Sequence, residues 1–280
     1  MADRRIYYFS GAGNSLAVAK KLSQDLDAKL LPMKMLRGKN GASDDDAQLL
    51  GEGALGNSIL GIVFPVHGGR PPKYVVEALT NLGNIQNTYL FAVCTYGISP
   101  GRALHRVAAL LNARGGQLSA GFAVGMPQSG IGSKRIGEAR MQYLWSTGRE
   151  KTAEVSRYLQ AQKSGVIESQ SAYGPMLKKE NLKMVPSVFK MLGKMIRYGT
   201  KALTQIEDEN CIGCGTCASI CPVDNIRMQN EHPVWLDHCV GCFGCYHWCP
   251  QRAVSFGGHD MDTVPFHHPD VTVGDMIGHI

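Results

Sequence analysis

The chain has 280 residues, 44% of them hydrophobic and 19% charged, the balance of a folded globular protein of one large or two ordinary domains and not of a disordered one. No stretch approaches the roughly 18 consecutive apolar residues of a membrane-spanning helix, and the opening Met1-Ala2-Asp3-Arg4-Arg5 carries no apolar export core, so a cytoplasmic protein without a membrane span is expected. The formal charge of +6 conceals a division: two basic residues stand against ten acidic ones from Ile206 onward, and 27 against 13 before it, which suggests two units of opposite sign.

Along the chain, Arg5-Ile6-Tyr7-Tyr8-Phe9-Ser10 is rich in aromatic and β-branched residues and predicts a first strand. The small-residue turn Gly11-Ala12-Gly13-Asn14-Ser15 leads into a helix whose Leu16, Ala19, Leu22 and Leu26 are spaced for one buried face. Lys29-Leu30-Leu31-Pro32 predicts a second strand. The stretch from Gly38 to Ser58, rich in Gly, Asp and Asn, reads as loop with at most a short helix. The unbroken apolar run Leu60-Gly61-Ile62-Val63-Phe64-Pro65-Val66 suits a central parallel strand covered on both faces. Pro71-Pro72 opens a helix through Val75, Val76 and Leu79. Tyr89 to Cys94 is a further buried strand, and the helix after it runs from about Arg102 to Ala113 and stops at Gly115-Gly116. Gly121 to Met126 is the fifth strand, and a long helix from about Gly137 to Gln162 follows. Strand and helix alternate throughout, which predicts a doubly wound α/β domain on a parallel five-stranded sheet.

From Lys163 to Gln205 the composition changes. This stretch carries Met176, Met184, Met191 and Met195, with seven Lys/Arg against one Glu between Lys178 and Lys201. A helical connector is expected, its apolar residues packed on neighbours and its lysines in water. The sharper alternative is a positive platform for an acidic carrier or for the chain's own acidic unit.

Eight of the nine cysteines fall between Cys211 and Cys249. In a reducing compartment such crowding points to metal or cluster ligation, not to disulfides. Two runs, Cys211-Ile212-Gly213-Cys214-Gly215-Thr216-Cys217 with Cys221-Pro222, and Cys239-Val240-Gly241-Cys242-Phe243-Gly244-Cys245 with Cys249-Pro250, each read C-x2-C-x2-C-x3-C-P. That is the bacterial ferredoxin pattern, in which the fourth cysteine of each run serves the other cluster. Cys211, Cys214, Cys217 and Cys249 are therefore assigned to one 4Fe–4S cluster, and Cys239, Cys242, Cys245 and Cys221 to the second. Gly213, Gly215, Gly241 and Gly244 are expected to let backbone amides approach the sulfides. Pro222 and Pro250 turn the chain away, and Ile212, Ile220, Val223, Ile226, Phe243 and Trp248 exclude water. Zinc sites use paired C-x2-4-C elements, and two triplets each followed by a lone Cys-Pro do not fit that pattern.

Ligands of open α/β sheets bind beyond the carboxyl ends of the strands. The loop Ser10-Gly11-Ala12-Gly13-Asn14-Ser15 offers hydroxyls, an amide and backbone N–H groups at a helix start, a phosphate cradle. It lacks the lysine of a nucleotide triphosphate loop, and no G-x-G-x-x-G nicotinamide fingerprint is present. Two further loops leave the same edge, Pro65-Val66-His67-Gly68-Gly69 and Thr95-Tyr96-Gly97, and their His67 and Tyr96 are placed to sandwich a planar ring. Cys94 reads as a small buried hydrophobe, Arg102 as a surface charge, His267 and His268 as packing or hydrogen-bonding residues, and Asn14 and Ser15 as alternative helix caps.

The first 160 residues or so resemble a flavodoxin, and the whole chain is similar to the flavodoxin–ferredoxin fusion proteins of anaerobes. The matching stretches are Tyr8 to Ser15, Phe64-Pro65-Val66-His67-Gly68-Gly69, Cys94-Thr95-Tyr96-Gly97, Met126-Pro127 and the tail Phe266-His267-His268-Pro269-Asp270-Val271. The resemblance implies FMN on the three loops, with a flavodoxin-like domain at residues 1–162 and the connector at 163–205. It places the ferredoxin-like two-cluster domain at 206–258 and a tail at 259–280. Ala12 stands where flavodoxins usually carry Thr, and His67 where an aromatic is commoner. Eight thiolates around two oxidised cores bring about −4 and an FMN phosphate about −2, so the loaded protein sits near neutrality and no nucleic-acid partner is expected. The function expected is electron transfer between FMN, the clusters and a low-potential redox protein, either a ferredoxin-type donor or an acceptor enzyme. Two alternatives are an FMN-dependent reductase of a small organic substrate fed by the clusters, and a flavin-free protein that docks a redox partner. The sequence leaves a homo-oligomer open.

Overall fold

The computed structural model describes residues 3–37, 58–130, 137–169, 205–207, 209–256 and 265–277. The first unit is a parallel sheet wound on both faces. Strand β1 (Arg4–Tyr8) is followed by α1 (Asn14–Leu26), β2 (Lys29–Pro32), a 3-10 turn (Met33–Arg37) and β3 (Ile59–Pro65). Then come α2 (Lys73–Leu79), β4 (Tyr89–Tyr96), α3 (Ala103–Asn112), β5 (Leu118–Gly125), α4 (Glu138–Gln160) and β6 (Val166–Ile167). The strand order is β2-β1-β3-β4-β5-β6, and every pairing is parallel. Its first five members follow the flavodoxin-like order.

Five strands were expected and six are present. After α4 the chain returns along the free edge of β5, where Gly165 N–H donates to Ser119 O and Glu168 N–H to Gly121 O, each at 2.9 Å. This pairing satisfies edge groups of β5 that would otherwise be bare. The sheet therefore extends to Ile167, beyond the Gln162 expected as the end of the first unit. All but Ser58 of the loop expected over 38–58, and most of the connector over 163–205, lie outside the described residues.

The apolar runs bury as their patterns require. β3 is buried from Ile59 to Phe64, and on α1 the spaced residues Leu16, Ala19 and Leu22 are fully buried. One core layer joins α1, α4 and one face of the sheet, and reaches Ile220, Trp248, Val271 and Met276 of the later segments. The other joins α2, α3 and the opposite face, and Val223, Val240 and Cys242 pack against it. The cysteine-rich unit is thus seated on the first unit by apolar contact. Gly61 in β3 makes room for a core ring, since a Cβ there would lie 2.3 Å from the Phe91 ring.

The cysteine-rich unit is built twice over. A short helix α5 (Thr216–Ser219) leads to the hairpin β8 (Ile226–Gln229) and β9 (His232–Trp235). A matching helix α6 (Gly244–His247) leads to β10 (Val254–Phe256), which pairs antiparallel with β7 (Gln205–Glu207). The tail ends in α7 (Val273–Ile277), lashed to α1 by the Lys20–Asp275 ion pair at 2.6 Å.

Candidate functional site

Beyond the carboxyl ends of β1, β3 and β4 the three expected loops converge. Gly13 precedes α1 in the left-handed region at φ 87°, which turns the chain sharply into the helix. The cap reading of Asn14 and Ser15 fails, since neither side chain caps the helix. Asn14 Nδ2 instead donates to Pro127 O at 3.0 Å and its Oδ1 accepts from Trp145 Nε1 at 3.4 Å, while the Ser15 and Thr95 hydroxyls pair at 2.7 Å. Those side chains are engaged in joining the loops. Among the described residues none accepts from the backbone N–H groups of Gly11 to Ser15. A buried row of unpaired amides at the start of a helix is an anion site, so the residues present fit a phosphate through their backbone.

The second loop is a tight hairpin. His67 and Arg70 exchange hydrogen bonds at 2.9 and 3.1 Å, and Gly68 and Gly69 occupy its two left-handed corners at φ 57° and 75°. It is stitched to the third loop by Val66 N–H to Thr95 O at 2.8 Å, and the third loop to β5 by Met126 N–H to Tyr96 O at 2.9 Å. His67 is largely accessible to solvent and Tyr96 half-buried, while desolvation by the surrounding loops still pulls the His67 pKa down to about 4. Cys94 is fully buried, as expected of a small hydrophobe, and burial pushes its thiol far up. Arg102 is exposed, as expected of a surface charge.

The cysteines form two open cavities. The first is lined by Cys211, Cys214, Cys217 and Cys249. The second is lined by Cys221, Cys239, Cys242 and Cys245, with Cys217 in the shared wall. The crossing of Cys221 and Cys249 is therefore visible as geometry. Each crossing thiol accepts a backbone N–H four residues on, from Asn225 and from Ala253, both at 3.2 Å. Among the described residues no three His, Cys, Asp or Glu side chains close on a point to hold a single ion.

Gly213, Gly215 and Gly241 sit at φ 67°, 71° and 65°, the left-handed corners that turn amides toward the cavity. Gly244 has no left-handed φ, yet its backbone N–H still reaches the Cys242 thiol. Its partner by repeat is Thr216, and the fourth left-handed corner belongs to Phe243 at φ 60°. Burial pushes the Cys217 thiol up to about 11, with the Cys214 and Cys249 thiols adding to the rise, and holds that of Cys245 well above its ordinary value. Ionising the set therefore depends on the positive charge of iron. At the second cavity the lining residue Trp235 has a buried Nε1–H with no partner among the described residues, a donor suited to a sulfide or thiolate acceptor.

The second ligand set lies against the phosphate loop. A Cβ on Gly11 would be 1.9 Å from Cys242 O, and Trp248 Nε1 donates to Gly11 O at 2.8 Å. Tyr74 donates to Pro222 O at 3.1 Å. His247 is buried with both ring nitrogens engaged, Nδ1 accepting from Phe266 N–H at 3.3 Å and Nε2 facing Ser129 O at 2.9 Å. Trp248 is itself stacked on His267, ring centroids 4.2 Å apart. The first set faces outward: Cys214 is exposed and its neighbour Ile212 is 64% exposed, so Ile212 does not screen its cluster from water as expected. The sequence carries no signal for His247 or the Trp248–Gly11 bond, because each joins segments far apart in the chain.

Residues 204–256 match the family model of the 4Fe-4S dicluster domain. The chain joins a flavodoxin-like domain to a 4Fe–4S dicluster domain. No curated protein matches it. Among solved structures it is similar to a flavodoxin from Streptococcus pneumonia (14% identity, 55% of this chain and 99% of that one, TM-score 0.35). It is also similar to a WrbA-like flavodoxin from Agrobacterium tumefaciens (14%, 58% and 100%, TM-score 0.35). A third is the rubredoxin oxygen:oxidoreductase of the anaerobe Desulfovibrio gigas (19%, 57% and 36%, TM-score 0.33). Among the described residues no helix is long and apolar enough to cross a membrane.

Proposed function

We propose that this chain is an electron-transfer iron–sulfur flavoprotein that exchanges electrons with a low-potential redox protein, with FMN on the three loops and two 4Fe–4S clusters on the eight cysteines. FMN supplies one- and two-electron chemistry and each cluster one-electron chemistry. The observation that carries the reading is the contact of Cys242 with Gly11: a ligand of the second cluster stands against the loop that holds the flavin phosphate.

The chain's own residues divide the work. The amides of Gly11 to Ser15 bind the phosphate, while His67 and Tyr96 flank the ring. Trp248, Val223 and Val240 keep water from the seam between the two units, which are locked together by the Trp248, Tyr74 and His247 hydrogen bonds. From solvent inward the order is Cys214, then Cys217 in the shared wall, then Cys242 against Gly11. The exposed Ile212 end is the face offered to a partner protein, and the acidic excess from Ile206 onward favours a partner with a basic docking surface.

The test is anaerobic purification with iron and flavin analysis, followed by rapid mixing with a low-potential one-electron donor. About eight irons and one FMN per chain are expected, with flavin and cluster bleaching at a mutual rate independent of protein concentration. Iron-free protein, or flavin that stays oxidised beside reduced clusters, refutes the reading.

A further inference from the structure

The tail places an unexpected group beside the phosphate loop. The His268 side chain is only 1% exposed, and its Nδ1 accepts the Asp270 N–H at 3.2 Å. That bond assigns the ring proton to Nε2. The Nε2 is buried and has no partner among the described residues. The large majority of buried polar groups in native folds are hydrogen-bonded, so this one calls for an acceptor beyond the described residues.

The residue is anchored next to the first loop. His268 N–H donates to Ala12 O at 2.9 Å, and a Cβ on Gly13 would stand 3.3 Å from His268 Cβ. The imidazole meets the Trp145 ring edge-on at 5.7 Å, and Trp145 in turn donates to Asn14. The ring therefore stands beside the 12–14 segment, at the start of the 13-residue helix α1. There the amides of Gly11 to Ser15 also lack an acceptor. Two independent sets of unpaired donors, one from the loop and one from a residue more than 250 positions away, share one neighbourhood. Burial also pushes the His268 pKa down to about 4 in spite of the nearby Asp270 carboxylate, so the ring is neutral near pH 7 and offers one N–H.

We propose that His268 donates its Nε2–H to the phosphate of the flavin mononucleotide, so that the tail completes the phosphate site and selects phosphorylated flavin. This rests on the flavin reading above. It accounts for Ala12, which brings no hydroxyl to the cradle. It also couples the cofactor to domain seating, because the same tail is clasped to the cluster unit by Phe266 N–H on His247 and by the His267–Trp248 stack.

The test uses the full chain with its iron in place and its flavin removed, titrated with FMN and with riboflavin, which lacks the phosphate. In His268→Phe, which keeps a ring without the donor, FMN affinity should fall by roughly tenfold or more while riboflavin affinity holds. In His268→Gln, which restores a donor, part of the loss should return. In the unmodified protein the His268 Nε2–H resonance should shift on adding FMN and stay in place with riboflavin, a readout that does not depend on either variant folding. Equal loss of both ligands in His268→Phe, unchanged FMN affinity, or a resonance indifferent to FMN overturns the proposal. If the unmodified protein binds neither ligand, the flavin reading falls and the proposal with it; if it binds riboflavin as tightly as FMN, only the proposal falls.

Discussion

Replacing Gly11 by alanine tests the seating of one unit on the other. Gly11 has no left-handed φ, so alanine adds no backbone strain there. Its Cβ would, however, be 1.9 Å from Cys242 O and 3.0 Å from Cys242 C, both backbone atoms. Relief to even 3.0 Å requires a displacement of about 1.1 Å, and the Trp248 Nε1 bond to Gly11 O is stretched with it. Overpacking of this kind costs about 1–3 kcal/mol and the hydrogen bond contributes about 1 kcal/mol. Together they shift the docked equilibrium by roughly 30- to 700-fold, at about 1.4 kcal/mol per decade. Deuterium uptake read by mass spectrometry on the iron-loaded chain should show faster exchange over residues 11–13 and 240–249, with β3 and β4 unchanged. Gly244→Ala is the control, because its Cβ would find nothing nearer than Ile220 Cδ1 at 3.6 Å. Wild-type protection in Gly11→Ala would show that the two units are not seated as described.

The crossed ligand sets predict which losses overlap. Cys221→Ala should halve the iron to about four per chain; adding Cys239→Ala should cost nothing further, whereas adding Cys211→Ala should remove the rest, read by iron analysis and low-temperature EPR. Trp235→Phe removes the unpaired donor at the second cavity and should lower the midpoint potential of one cluster alone in a redox titration, since a donor favours the more negative reduced state. Asp275 is held down to about 2, against an ordinary 3.8, by the hydrogen bond from Lys20 and the Thr272 N–H. Its folded form binds fewer protons between those values, so its contribution is complete above about pH 4 and fades as pH falls toward 2. Asp275→Asn should therefore speed exchange in the tail helix by the same factor at pH 6 and pH 8.

The cysteine runs announced a 4Fe–4S dicluster domain by themselves, because cluster ligation is written in short fixed spacings, and the unbroken run from Leu60 to Phe64 announced a strand buried on both faces. The convergence of the loops at Gly11, His67 and Tyr96 was legible too, since a wound sheet brings the carboxyl ends of successive parallel strands to one edge. Spacing could not say that Gly244 would sit in an ordinary conformation while Phe243 took the left-handed corner. It also could not say that Val166 and Ile167 would close the edge of β5. Nor could it show that Cys242 presses on Gly11, that Trp248 holds the Gly11 carbonyl, or that His268 is buried beside Ala12 with one nitrogen unpaired. Those contacts join segments separated by more than 200 residues. Local chemistry has no term for them, and only the packing of the whole chain decides which groups meet.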